Sequence, residues 1–123
     1  MLREVKRVLQ EPRGAKKRWF TDEVIDLFIW QNESGRVLSL QFCYDKRHKE
    51  RSLTWSGESG YGHHGVDDGE NKLGRIKASP ILVPDGIFET EAVADLFVAR
   101  AADIESSLRA FVEKIIRAYP EHA

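Results

Sequence analysis

The chain has 123 residues, of which 41% are hydrophobic and 32% are charged. This composition is typical of a soluble globular protein, and the length predicts a single domain, residues 1–123. Nineteen basic and twenty acidic side chains nearly cancel, which argues against nucleic acid as a partner. The longest apolar run, residues 27–30, is too short to span a bilayer, and the N-terminus has no secretory signal. With a lone Cys43 that cannot form an internal disulfide, these features predict a cytoplasmic protein without membrane association.

The N-terminal part of the chain has the composition of β-strands. Residues 4–9 alternate charged and aliphatic side chains imperfectly, which predicts a strand, although a short helix fits nearly as well. Turn residues at 11–14 separate it from a second predicted strand, residues 16–20. Residues 24–30 follow a Thr21-Asp-Glu segment that resembles a helix N-cap. Val, Ile, Phe and Trp dominate residues 24–30, however, and favour a strand.

The alternation is clearest in residues 37–44. One face of this predicted strand is apolar and carries Leu38, Leu40, Phe42 and Tyr44. Residues 50–55 alternate in the same way, so residues 24–55 predict a three-stranded antiparallel meander. Two further extended segments are expected at residues 74–78 and 80–84, the second because a proline stands at each of its ends.

From Thr90 the apolar residues recur at three- and four-residue spacings up to Tyr119, as in an amphipathic helix. Periodicity does not decide between one helix and two helices that break near residues 103–107. The predicted fold class is therefore α+β: an antiparallel β-meander of about four to six strands, covered on one face by one or two C-terminal helices.

The strand at residues 27–30 is apolar on both of its faces. Such a strand is expected to be covered on both sides. The helices account for one side, and the other requires the N-terminal segment, residues 80–88 or a second subunit. A homodimer is therefore a reasonable expectation.

Side chains able to titrate or to bind a metal are densest in a glycine-rich segment, residues 58–70, which is expected to be a polar loop. It contains His63, His64, Asp67, Asp68 and Glu70, the candidates for catalytic or other functional residues. Glycines allow a tight backbone, so these imidazoles and carboxylates are able to converge. The cofactor is unknown: the absence of one is favoured over a divalent metal, for which the first four of these residues are the candidate ligands. The spacing excludes a calcium EF-hand. The alternative is a structural loop whose Asp and His side chains bond to the backbone.

Aromatic residues offer a second candidate site. Trp30, Trp55 and Tyr44 on adjacent strands are able to line a pocket with the polar loop at its mouth, and Tyr61 and Trp55 are the predicted ligand-binding residues. Packing in the core or in a dimer is the favoured explanation of the same residues, because large aromatic side chains dominate protein cores. Cys43 lies in an apolar strand and is interpreted as a packed thiol.

A third candidate is the basic and aromatic segment at residues 13–20, in which Lys16, Lys17 and Arg18 precede Trp19 and Phe20. Clustered cations beside aromatic rings are able to bind phosphates and stack on bases. The balanced charge of the chain favours the simpler interpretation, a strand end whose cations stay in water.

Several segments resemble a small single-domain family of bacterial proteins with unknown function. The resemblance rests on residues 17–20, 26–30, 41–46, 53–55, 63–70 and 81–86, and it covers most of the chain. It implies a discrete domain and carries no activity and no site residues.

Two function classes follow from the sequence. The first is a small binding or interaction module whose polar loop is structural or contacts a partner. The second is a small enzyme that uses His63, His64 and the nearby acids for acid–base or metal-assisted chemistry. Nucleophile-elbow, P-loop, dinucleotide-binding and Cys-x-x-Cys motifs do not occur, so the binding module is favoured. The sequence does not decide whether the protein is an enzyme.

Overall fold

The computed structural model describes residues 1–10, 14–46, 49–65 and 88–120. Within them, six strands form one antiparallel sheet in which each strand pairs with the next along the chain, and two helices follow. The strands are β1 (Arg3–Glu4), β2 (Lys16–Thr21), β3 (Asp26–Gln31), β4 (Val37–Tyr44), β5 (Arg51–Ser56) and β6 (Gly60–Gly65). The helices are α1 (Thr90–Arg100) and α2 (Ser106–Arg117). The predicted α+β meander with C-terminal helices is confirmed.

One face of the sheet forms the core with the helices. The side chains that pack there from β3 and β4 include Leu27, Ile29 and Phe42, each of them fully buried. Phe97 of α1 meets the Phe42 ring edge-on at a centroid distance of 5.9 Å. We call this the inner face, and the opposite one, turned away from both helices, the outer face. None of the helices in the described residues is long and apolar enough to cross a membrane.

The turn between β2 and β3 explains the signal that resembles a helix N-cap. Asp22 Oδ1 accepts hydrogen bonds from the backbone N–H groups of Val24 and Ile25, both at 2.8 Å. Its Oδ2 accepts one from Arg100 Nε at the end of α1, at 2.7 Å. The Asp22 side chain is 2% exposed. The capping chemistry is therefore real, but it closes a tight turn between two strands and ties that turn to α1.

The hairpin between β3 and β4 contains an irregularity that changes one prediction. Trp30 pairs with Ser39 and Gln31 pairs with Val37, so Leu38 is an extra residue in β4. A β-bulge of this kind turns the chain and interrupts the alternation of faces. Leu38 is 41% exposed, whereas Leu40 is 2% exposed. The apolar face predicted for residues 38–44 is thus confirmed from Leu40 onwards and is wrong at Leu38.

Two segments differ from the predicted elements. The strand expected at residues 4–9 is limited to Arg3–Glu4, although Val5 still donates a backbone hydrogen bond to Trp19 O. The segment expected to be a loop contains β6, whose Gly60–Gly65 pairs in register with β5. Three glycines lower the strand propensity of β6, and its six-residue ladder with β5 compensates for this. The expected segments at 74–78 and 80–84 lie outside the described residues.

The C-terminal segment forms two helices, α1 and α2, and not one continuous helix. Periodicity alone did not decide between these alternatives. Between them, Ile104 is buried and its N–H donates to Ala101 O at 3.0 Å. Arg117 of α2 then pairs with Glu91 and Asp95 of α1, and these contacts hold the two helices side by side.

Candidate functional site

The two histidines occupy opposite faces of β6. His63 is paired with Leu53 and His64 with Ser52, and successive side chains of a strand point to opposite faces. His63 shares the inner face with the core, and His64 lies on the outer face. A single ion cannot be held by both rings while β6 keeps this geometry.

His63 lies in an aromatic cluster at one end of the inner face. Its Nε2 is 2.7 Å from Tyr44 Oη. The ring of Phe88 packs against His63 at a centroid distance of 5.1 Å, and that of Tyr119 at 6.4 Å. Burial raises the pKa of Tyr44 to about 12, against the opposing effect of a hydrogen bond with Arg51. Tyr44 is therefore a neutral phenol at physiological pH, and it shares a hydrogen bond with the imidazole beside it.

His64 is seated over a glycine on the outer face. A Cβ at Gly62 would lie 2.8 Å from Thr54 Oγ1 and 3.0 Å from His64 Nε2, so only glycine leaves room for both side chains. His64 Nδ1 is buried, and no hydrogen-bond partner for it occurs among the residues that the structure describes. The neighbouring Ser52 is 3% exposed. His64 is thus closely packed among small polar groups.

Trp55 and Tyr61, the predicted ligand-binding residues, both lie on the inner face beneath α2. The Trp55 ring packs edge-on against Phe111 at 5.7 Å. Tyr61 Oη donates a hydrogen bond to Ile115 O at 2.7 Å. Both contacts attach the helix to the sheet. Trp30 lies on the outer face, so the pocket predicted from Trp30, Trp55 and Tyr44 together is wrong.

The metal prediction depends on residues that the structure does not describe. Asp67, Asp68 and Glu70 lie outside the described residues. Within the described ranges, no group of three or more His, Cys, Asp and Glu side chains is placed to hold a metal ion. A metal site stays a prediction, but only with one of the two histidines beside the acids, because β6 places His63 and His64 on opposite faces.

Cys43 is buried at 5% exposure. Burial raises the pKa of its thiol to about 11, which leaves it protonated and unreactive at neutral pH. The prediction of a packed thiol is consistent with this environment.

The outer face carries a feature that sequence reasoning missed. Trp19, Phe28 and Trp30 form a continuous row, which we call the aromatic row. Trp19 and Phe28 are stacked at a centroid distance of 5.5 Å, and Phe28 and Trp30 are 6.4 Å apart. All three side chains are partly exposed. Trp19 lies two residues from both Lys17 and Thr21, which places the three side chains on one face of a strand. The sequence does not show that this is the outer face, because that follows from the pairing of β2 with β3.

Polar contacts fix one end of the aromatic row. Asp26 accepts hydrogen bonds from Trp19 Nε1 at 3.0 Å and from Thr21 Oγ1 at 2.6 Å. Its second oxygen forms an ion pair with Lys46 Nζ at 3.1 Å. Towards the other end, Lys17 Nζ lies 5.1 Å from the centroid of Phe28 and 5.6 Å from that of Trp30. The hydrogen bond to Asp26 therefore orients the Trp19 ring before any partner arrives.

Comparison of the chain with protein-family models, with curated proteins and with solved structures finds no match in any of the three.

Proposed function

We propose that the protein is a small binding module that associates with a second copy of itself through the aromatic row of the outer face. The observation that carries this proposal is the position of the row. β3 is apolar on both faces, and both helices cover the inner one. The outer one presents three large rings side by side. Aromatic residues are enriched at the centres of protein interfaces, where they bury much area at little entropic cost.

The charge pattern around the row supports a second copy as the partner. Asp26 and Lys46 form an ion pair at one end, and Lys17 stands at the other. Beside the three rings, the described charges are therefore one compensated ion pair and one lysine, too few to repel an identical row. A twofold arrangement places the same apolar patch on both sides of the interface.

Replacing two rings of the row is expected to abolish self-association. In Phe28→Thr/Trp30→Thr, the apolar contact is lost, while threonine preserves the strand because it has a high β-propensity. We expect the wild type to sediment as a dimer at high concentration and the variant as a monomer. The matched control is Leu38→Thr/Val98→Thr, which removes two exposed apolar side chains elsewhere. A wild type that stays monomeric at every concentration would remove the proposal.

We also propose a cytoplasmic location. The supporting observation is that Cys43 is the only cysteine of the chain and is buried as a thiol. A reducing compartment suits such a residue.

A second candidate function is proton transfer, and the specific observation in its favour is the pair formed by Tyr44 and His63. A phenol and an imidazole 2.7 Å apart are the kind of groups that act together as general acid and base. Phe88 and Tyr119 surround them with apolar surface, which strengthens electrostatic interactions within the cluster. In this reading, the acid–base chemistry belongs to His63 and Tyr44, and His64 on the other face takes no part.

Variants at adjacent positions separate the two histidines. In a screen of activated ester and phosphoester substrates, we expect Tyr44→Phe and His63→Gln to lose any turnover by about a hundredfold or more. His64→Gln, its neighbour on the opposite face, is expected to retain it. Turnover that survives in Tyr44→Phe and His63→Gln, or that depends on His64, contradicts the assignment.

A further inference from the structure

A groove runs along the N-terminal side of the sheet, between residues 4–10 and the start of β2. Its volume is about 560 Å³. The Gln10 side chain holds the outer wall in place: its amide group donates to Lys17 O at 2.9 Å and accepts from Lys17 N–H at 2.8 Å. Further along, Val5 N–H donates to Trp19 O at 2.8 Å. The segment is therefore fixed beside β2 at two points, and the groove between them is a built feature of the fold.

The groove is positively charged although the chain as a whole is not. Four of its lining side chains form no ion pair within the described residues: Lys6, Arg7, Lys16 and Lys17. The one carboxylate in the lining, Glu4, is neutralised by Arg18, whose Nε and Nη2 lie 2.8 and 2.9 Å from its oxygens. The net charge of −1 for the whole chain thus conceals a local excess of cations.

Lys17 connects this groove to the aromatic row. Its Nζ lies 5.1 Å from the centroid of Phe28 and 5.6 Å from that of Trp30. A cation–π contact at an exposed site is weak, so the ammonium group is free to leave the rings for a stronger anion. When it does so, the parts of these two rings that it covers become available for stacking.

We propose that the groove binds the phosphate backbone of a single-stranded nucleic acid, whose bases stack on Phe28 and Trp30. Nonspecific single-strand sites combine a basic groove that follows the backbone with aromatic rings that take the bases. Both parts occur here, and Lys17 adjoins each of them. A duplex hides the faces of its bases, and an anionic lipid surface or an acidic peptide has no need of the rings. This distinction favours a single strand over these other polyanions.

The proposal goes beyond self-association. Because a strand that stacks on Phe28 and Trp30 takes the rings that a second copy would cover, strand binding competes with the dimer, but it rests on different cations. Lys6, Arg7 and Lys16 do not belong to the aromatic row, so replacing them is expected to leave the sedimentation of the protein unchanged. Failure of the nucleic-acid proposal is therefore distinguishable from failure of the dimer.

The test is fluorescence anisotropy of a labelled oligothymidine or oligouridine, titrated with the full chain at about 50 mM salt, where phosphate contacts are strong. We expect binding that quenches tryptophan fluorescence and weakens steeply with salt. In Lys6→Glu/Arg7→Glu, we expect the Kd to rise at least about tenfold and the salt dependence to become shallower by about one ion per lost contact. The control Lys49→Glu/Lys114→Glu makes the same change of charge at exposed positions away from the groove, and its Kd is expected to change less than about twofold.

Three results would overturn the proposal. The first is a wild type that does not bind either oligonucleotide at low salt. The second is an equal loss of binding in the control variant, which would indicate a general charge effect. The third is competition by polyglutamate as strong as that by unlabelled oligonucleotide, because polyglutamate offers negative charge without bases.

Discussion

Replacing Leu40 by aspartate is expected to unfold the protein. Leu40 lies in the middle of β4, is 2% exposed and belongs to the core shared by the sheet and both helices. A carboxylate at this position has no described partner to compensate its loss of hydration, and burying it costs several kcal/mol. Since small domains are stable by only about 5–15 kcal/mol in total, most or all of the stability is lost. Circular dichroism and urea denaturation of Leu40→Asp measure this directly.

The same strand supplies the control. Leu38→Asp introduces the same carboxylate two residues away, but the bulge leaves Leu38 41% exposed. We expect its free energy of unfolding to change by less than about 1 kcal/mol. Equal midpoints for the two variants would mean that the bulge does not separate the faces of β4 as described.

The second large effect is expected at Asp22. Asp22→Ala leaves the N–H groups of Val24 and Ile25 without their acceptor and removes the anion that pairs with Arg100. Breaking a buried, hydrogen-bonded charge pair typically costs about 3 kcal/mol, which corresponds to a fall in Tm of about 10 °C for a domain of this size. Differential scanning calorimetry is the measurement. Glu23→Gln is the control, because Glu23 pairs with the same arginine at 3.3 Å but is 59% exposed.

Asp22 also makes stability depend on pH in a predictable direction. Burial alone would raise the pKa of this carboxyl, but the hydrogen bonds from Arg100, Val24 and Ile25 outweigh it and lower the pKa from 3.8 to about 2. Because the pKa is lowered on folding, Asp22 stabilises the folded state at any pH above its ordinary pKa. This contribution disappears as the pH falls from about 4 through 2. The difference in unfolding free energy between wild type and Asp22→Ala should shrink over this range. A difference that stays constant would contradict the assignment.

The strands predicted best from the sequence are those in which the local pattern of apolar and bulky side chains is enough to favour a strand. Residues 37–44 alternate strictly, and from Leu40 onwards the structure follows that alternation. Residues 24–30 carried a conflicting signal, and the bulky side chains were the better guide because Phe28 and Trp30 have a row of rings to pack against. Asp22, before these residues, does accept backbone hydrogen bonds as a capping residue would. However, it closes a turn between two strands and not the start of a helix.

β6 shows why part of the site was not predictable. Its glycines indicate a loop when they are considered alone, and the strand forms because β5 provides a six-residue ladder. Once β6 is a strand, adjacent histidines must point to opposite faces. The contact between Tyr44 and His63 is set by the pairing of three strands in sequence, β4 to β5 to β6. No local pattern in the chain contains that register.

The order of the elements along the chain has a consequence for the protein during its synthesis. Each of the six described strands pairs with its immediate successor, so these six strands can pair as soon as residue 65 has left the ribosome. The two helices that cover the inner face end at Arg117, roughly fifty residues later. At about 5–20 residues per second, this leaves the apolar side chains of the inner face without their helices for about 3–10 s. During that interval the exposed apolar side chains of the inner face make the nascent chain prone to aggregation, a risk that ends when α1 and α2 cover them.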